Sequence, residues 1–259
     1  MKKNALKSLL KFLIIGILIF GIYQSTKVVP VEEKRMEATA ENFRSLGSFE
    51  ANFNGALESA REGFYELSSN AYFERGERLK AEGDFVLETQ MEGSPQEIEG
   101  KFKFRDPDIF ILFEEEDPPI VLESFFAENF DRNIEEVRGR WLTHTLTEDS
   151  FLSEPVFDSQ FVEAISEEEK INEKEMYHYR VPLTGLKILE EDLKIEVYAE
   201  KEDLNIYKLS ANQEISFSRD LDFPDPFIGF STGSSPTLNF TIEFSDIDTE
   251  KEIDFPDEL

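Results

Sequence analysis

The sequence predicts a mainly β chain with a few helices (α+β): a single large curled antiparallel sheet, or half-barrel, covered by short helices and preceded by an N-terminal membrane helix. Three observations predict it. Apolar and polar residues alternate with period two in stretch after stretch, the signature of strands with one buried face. Most of these stretches are joined by short Gly, Pro, Asn or Asp turns, which suits antiparallel pairing and not βαβ units. The chain opens on lysines followed by an apolar run.

That opening reads MKKNALKSLLKFLIIGILIFGIY. Lys2, Lys3, Lys7 and Lys11 precede an apolar run from Phe12 to Ile22, closed by Tyr23. Cations ahead of a hydrophobic run keep the N-terminus in the cytoplasm and send the downstream chain across the membrane. The run is in the length class of a signal-peptide core, since a spanning helix takes about 20 apolar residues. However, Gly21-Ile22-Tyr23-Gln24-Ser25-Thr26 offers no small pair for cleavage, and flanking Leu6, Leu9, Leu10, Val28 and Val29 lengthen the segment. The expectation is therefore an uncleaved anchor in the cell membrane with a single pass and an extracytoplasmic C-terminal domain; a cleaved signal is the alternative. The organisation expected is residues 1–30 as anchor or signal segment, 31–46 as stalk or first helix, and 47–259 as the half-barrel domain.

Val31 to Leu46 places Met36, Ala40, Phe43 and Leu46 on one helical stripe, and Gly47 stops it. Phe49, Ala51, Phe53, Gly55 and Leu57 then alternate with polar residues as a strand. Ala60 to Arg78 reads as a long connection with a short helix around residues 70–77. Leu79 to Met91 alternates again, and Gly93-Ser94-Pro95 turns the chain. Ile98, Gly100, Phe102 and Phe104 against Glu97, Glu99, Lys101 and Lys103 make the clearest strand. Ile109 to Phe113 is apolar on both faces, as a central or covered strand would be. Residues 120–137 carry Leu122, Phe125, Phe126 and Phe130 at helical spacing, a candidate plug for a concave sheet. A strand surrounds Trp141, the only Trp; Phe151 to Ser166 is less clear. Lys170 to Leu183, Leu193 to Tyr198, Asn205 to Ser210 and Thr237 to Phe244 are strands, separated by turns near Asn172 and Asp203 and by a loop over 217–236. The count is about nine to eleven strands.

Composition removes several function classes. There is no Cys, so no disulfide, no thiolate metal site and no lipid-bearing cysteine. The net charge is −29, and all 56 acidic residues lie beyond residue 30. Such a surface repels nucleic acid, which is bound through Lys and Arg. The 25 Phe argue against a disordered charged coil.

Candidate sites are few. Gly229-Phe230-Ser231-Thr232-Gly233 matches G-x-S-x-G, but Pro236 and a strand follow where a nucleophile elbow needs a helix, and no His follows His178. His144 and His178, the only histidines, fall on the strand faces opposite their aromatic neighbours and are expected to face solvent. The acidic runs 114–117 and 167–169 lack a spaced calcium-loop pattern. The sequence thus points to no enzyme, no metal and no cofactor. What remains is the Phe-rich inner face. Phe49, Phe53, Phe85, Phe102, Phe104, Phe110, Phe126, Trp141, Tyr179, Val197, Leu209 and Phe240 are the residues expected to line a lipid cavity, against the simpler reading of a packed core.

Four pieces give a resemblance to a known family. They are FRSLGSFEANFNGALE, Gly139-Arg140-Trp141-Leu142, the succession EEEKINEKEMYHYRVPL to LKIEVYAEKEDLNIYKLSAN, and the ending FSDIDTEKEIDFPDEL. In this order they resemble the LppX/LprG-like exported proteins and, more remotely, the LolA/LolB lipoprotein carriers, over roughly residues 35–259. The resemblance implies an antiparallel half-barrel wrapped over helices, with an apolar cavity that takes a lipid or lipoprotein ligand. The segment between Leu183 and Leu193 is shorter than the helix such proteins carry there. The implied function is a membrane-anchored extracytoplasmic protein binding an apolar or lipid ligand non-covalently; the alternative is a cell-surface structural or interaction domain with a filled core.

Overall fold

The computed structural model describes residues 31–59, 63–76, 78–90, 96–106, 108–113, 139–145, 156–157, 163–184, 189–216, 235–245, 247–249 and 251–256. One helix, α1 (Val31–Ser45), leads into β1 (Ser48–Ser59), β2 (Gly63–Arg75), β3 (Leu79–Gln90), β4 (Gln96–Arg105), β5 (Asp108–Phe113) and β6 (Leu142–Thr145). The second half comprises β7 (Val156–Phe157), β8 (Glu163–Ile171), β9 (Lys174–Thr184), β10 (Leu193–Glu200), β11 (Ile206–Glu214) and β12 (Thr237–Ser245).

All twelve strands join one antiparallel sheet in the order β6-β5-β4-β3-β2-β1-β12-β11-β10-β9-β7, with β8 also pairing β9. β1 to β5 form one meander and β8 to β11 a second, each joined by short connections. The halves meet where β1 pairs β12 from Glu50↔Ser245 to Glu58↔Thr237. The first and last strands therefore lie at the centre of the sheet. Among the described residues the two ends of the order do not pair, so the sheet is open.

Period-two alternation sets the two faces. One face carries Phe49, Phe53 and Leu57 of β1, Tyr65, Leu67 and Phe73 of β2, and Phe85 and Leu87 of β3. It continues through Ile98, Phe102 and Phe104 of β4, Ile109 and Ile111 of β5, and the matching residues of β9 to β12 in a single core. α1 adds Met36 and Phe43 to that core, and Leu46, one residue past its end, joins them, so the helix packs as part of the folded domain. Its Phe43 ring sits 5.1 Å from Phe49 and 4.9 Å from Phe244.

Two expectations are corrected. Residues 60–78 are no connection with a helix: Gly63–Arg75 is a thirteen-residue strand paired along its length with β1 and β3. Its alternation of Tyr65, Leu67, Ser69, Ala71 and Phe73 is blurred because Ser69 and Ala71 are small and because Phe64 and Tyr72 occupy the other face. Among the described residues the strands number twelve, not nine to eleven; β2, the two-residue β7 and β8 are the ones the pattern did not mark. The helical stretch at 120–137, the 217–234 loop with Ser231, and the membrane segment lie outside the described residues. Among those described, no helix is long and apolar enough to cross a membrane.

Candidate functional site: the aromatic face of the sheet

Of the residues expected to line a cavity, Phe49, Phe53, Phe85, Phe102, Phe104, Tyr179, Val197, Leu209 and Phe240 share the buried face. The register explains why. Phe49 lies opposite Phe73, Phe53 opposite Ile242, Phe102 opposite Ile111, Phe104 opposite Ile109, and Val197 between Tyr179 and Leu209. These cross-strand pairs put neighbouring apolar side chains within contact on one side of the pleat.

Three glycines shape this face. Gly83 is paired with Phe102, Gly100 with Phe85, and Gly55 with Phe240. A methyl group built on Gly100 would meet Phe85 Cζ at 2.5 Å, and one on Gly55 would meet Phe53 Cζ at 2.6 Å. At Gly83 it would run into the Asn70 carbonyl oxygen and come within 2.9 Å of the Phe102 ring. The rings of Phe53, Phe85 and Phe102 are thus folded down onto bare backbone. Phe49 stacks on Phe73 at 5.0 Å and 18°, and Phe53 on Phe240 at 6.4 Å and 21°. Each ring occupies the space a β-carbon would take at its glycine, and together these rings form the aromatic floor of the sheet. Glycine within a strand often marks this sort of close approach.

Two expected lining residues are corrected. Phe110 pairs with Lys103 and belongs to the opposite face of β5, because IFILF is apolar on both sides. It is buried there by Phe255, 5.9 Å away, and lies 5.9 Å from the Arg105 guanidinium, which also sits over Phe255. Trp141 also lies on the opposite face, with Lys103 Nζ 5.7 Å from its ring. Phe126 lies outside the described residues. Sequence reasoning missed Tyr65, Leu67 and Phe73, all on the floor; the alternation in β2 was the available signal.

The opposite face carries a strap. After β12 the chain turns at Ile247-Asp248 and its described residues reach across β1 to β5. Asp248 N–H donates to the Ser48 carbonyl (2.8 Å), Tyr72 Oη to the Thr249 carbonyl (2.8 Å), and Lys251 N–H to Tyr72 Oη (2.9 Å). Lys251 Nζ pairs with Glu82 at 3.0 Å, and Lys103 Nζ donates to the Asp254 carbonyl. Beside the strap is a cleft of about 450 Å³, walled by Trp141, Tyr72 and Lys251 and floored by Glu50, Glu82, Asp84, Lys101 and Lys103. Its charges are cross-strand pairs, Glu82 with Lys103 and Asp84 with Lys101 in register, which is how a solvated sheet face ordinarily balances.

His178 is also on that opposite face, but it is buried and not solvent-facing as expected. Its ring stacks on Tyr198 at 4.2 Å, Nδ1 lies 2.8 Å from Glu169 Oε2, and Nε2 lies 3.5 Å from Glu196 Oε2. Arg180 bonds Glu196 at 2.9 Å and Tyr198 Oη donates to Glu196 at 3.2 Å. Burial pushes Tyr198 up to about 12, with the Glu196 and Glu169 charges adding to it. Burial also raises Glu196, but the Arg180 hydrogen bond, the His178 charge and the Tyr198 hydroxyl outweigh it and hold the carboxyl below its ordinary value. This cluster ties β8 to β9 and β10. Among the described residues no group of three or more His, Asp or Glu is arranged to hold a metal ion. His144 pairs with Ile109 at the edge of the sheet, far in sequence and strand order from His178.

No protein-family model matches the chain, and no curated protein does. Solved structures similar to it include three from different bacteria. LprF from Mycobacterium bovis is 10% identical, with 86% of this chain and 96% of that chain covered and a TM-score of 0.42. An outer membrane lipoprotein-sorting protein domain from Vibrio parahaemolyticus is 10% identical over 85% and 93%, with a TM-score of 0.28. The LolA superfamily protein NE2245 from Nitrosomonas europaea is 12% identical over 88% and 96%, with a TM-score of 0.26. At this level of likeness the fold rests on the strand pairing of this chain itself.

Proposed function

We propose that this chain is a membrane-anchored extracytoplasmic protein that binds an apolar or lipid ligand non-covalently on the concave, Phe-rich face of its sheet. The observation that carries the reading is the aromatic floor. The rings of Phe53, Phe85 and Phe102 pack against Gly55, Gly100 and Gly83, so aromatic side chains run without interruption across one face of β1 to β4. Acyl chains are flexible and featureless, and an apolar, aromatic lining suits them. The driving force is burial of apolar area, at about 25 cal/mol per Å². No covalent chemistry is required. The anchor at residues 1–30 would keep the domain beside its own membrane, so ligand would be taken up or presented locally.

A specific observation favours a second reading. Every described floor residue is almost completely buried in the absence of ligand; Phe85 and Phe240 are each 1% exposed. A filled core serving a cell-surface structural or interaction domain would look the same. Native mass spectrometry of the full chain purified from membranes, followed by lipid extraction, separates the two. Co-purifying lipid in stoichiometric amount supports the carrier reading. Its absence, together with no uptake of added fatty acid, would sink that reading in favour of the filled core.

A further inference from the structure

We infer that the Thr39 hydroxyl of α1 is the polar anchor of the apolar site, set to donate a hydrogen bond to the carbonyl oxygen of a carboxyl or ester group at the head of an acyl chain. The inference rests on the lipid-binding reading and specifies which end of the ligand goes where.

α1 presents Met36, Thr39 and Phe43 to the core, and Leu46, one residue past its end, extends the stripe, at spacings of three, four and three. Three of these are apolar, and Thr39 is the exception. The helix is pinned on both sides of it. Four residues before, the Arg35 guanidinium lies 5.0 Å over the Tyr177 ring of β9. Four residues after, Phe43 packs on Phe49 and Phe244. Asn42 Nδ2 donates to the Asp203 carbonyl in the β10–β11 turn, at 2.6 Å. Thr39 is thus held against the sheet side of the helix and is 0% exposed.

Its Oγ1 has no hydrogen-bond partner among the described residues. A threonine inside a helix usually bonds the carbonyl four residues earlier, and a buried hydroxyl left unpaired costs stability. A valine would fill the same space at no such cost. The hydroxyl is therefore a donor in reserve at the seam between helix and floor, where an acyl chain lying on the floor would bring its carbonyl oxygen.

Three fluorescent probes test this on the full chain: cis-parinaric acid, its methyl ester, and diphenylhexatriene, which has no polar atom. Thr39→Val should melt at the same or a higher temperature than wild type. It should bind the acid or the ester about 5–10-fold more weakly, the worth of one neutral hydrogen bond. It should bind diphenylhexatriene unchanged, and Thr39→Ser should restore wild-type affinity. Weakening of both head groups identifies esterified lipid as a source; weakening of the acid alone identifies free fatty acid. Equal affinity of Thr39→Val and wild type for all three probes overturns the inference and leaves the lipid reading standing. Equal weakening for all three, or a lower melting temperature with unchanged binding, assigns Thr39 a packing role and also overturns it. Failure of the wild type to bind any probe removes the lipid reading itself, and the inference falls with it.

Discussion

Adding a single methyl group at Gly55 tests the packing of ring on glycine directly. The β-carbon of Gly55→Ala would sit 2.6 Å from Phe53 Cζ and 3.0 Å from its Cε1, but 3.4 Å from Phe240 Cβ, which is close to ordinary contact. The conflict is therefore with one side chain, the ring of Phe53. Overpacking a core by a methyl costs about 1–3 kcal/mol. Replacing glycine returns about 0.5–1 kcal/mol by restricting the unfolded chain. Gly55→Ala alone should then destabilise by about 0.5–2 kcal/mol. In a Phe53→Leu background the ring tip is gone, and the same substitution should become neutral or stabilising by about 0.5–1 kcal/mol. The double-mutant cycle, measured by urea unfolding with the slope checked for constancy, should show a coupling of about 1–3 kcal/mol. Gly83→Ala is the control. There the added carbon meets the Asn70 carbonyl oxygen and Ala71 Cα, so trimming Phe102 to Leu should not rescue it fully. Additivity of Gly55→Ala and Phe53→Leu to within about 0.5 kcal/mol would show that the ring does not lie over the glycine, and the floor argument would fail.

The corrected site makes a functional prediction: Phe85→Ala and Phe102→Ala should weaken binding of a fluorescent fatty acid, whereas Trp141→Ala on the opposite face should leave it unchanged. Equal loss from all three would put the site elsewhere. Phe240→Ala at the sheet centre should cost about 3–5 kcal/mol in urea unfolding. Phe255→Ala removes the end of the strap from Phe110; it should cost less, because Phe255 is only partly buried, and should speed hydrogen exchange in β5 while leaving β10 protected. For acid stability, the Glu196 carboxyl is held below its ordinary 4.5 in the folded protein. Its contribution is therefore complete above that value and disappears as pH falls through the lower folded value. Glu196→Gln should be less stable at neutral pH, by under about 1 kcal/mol because the group is partly exposed. It should also lose less stability between neutral pH and pH 3 than wild type, as thermal melts across that range would record.

Much of the sheet was legible from local pattern. Phe49, Phe53, Phe85, Phe102, Phe104 and Phe240 fall on the buried face because alternation is a property of the strand and needs no knowledge of its neighbours. Where both faces of a strand are apolar, alternation says nothing about which face is which. Phe110 and Trp141 were misplaced for that reason: the strap that buries Phe110 through Phe255 arrives from the far end of the sequence. β2 was missed for a related reason. Ser69 and Ala71 are acceptable on the buried face only because the neighbouring strands supply the bulk, as Phe85 does opposite Ser69. His178 was placed on the correct face but in the wrong environment, since only pairing with β8 and β10 brings Glu169, Glu196 and Tyr198 around it.

By itself the sequence determined the class of the molecule: an acidic, cysteine-free, mainly β chain of repeated antiparallel strands, with one helix leading into the first. Those properties come from composition, periodicity and turn chemistry, all of which act over a few residues. Only the tertiary structure decided that β1 and β12 close the centre of the sheet, that three glycines sit beneath three phenylalanine rings, and that Thr39 is sealed against the core. Each of these is a contact between segments distant in the chain or on separate elements. Such contacts are fixed by register and packing across the whole sheet, which no local pattern encodes.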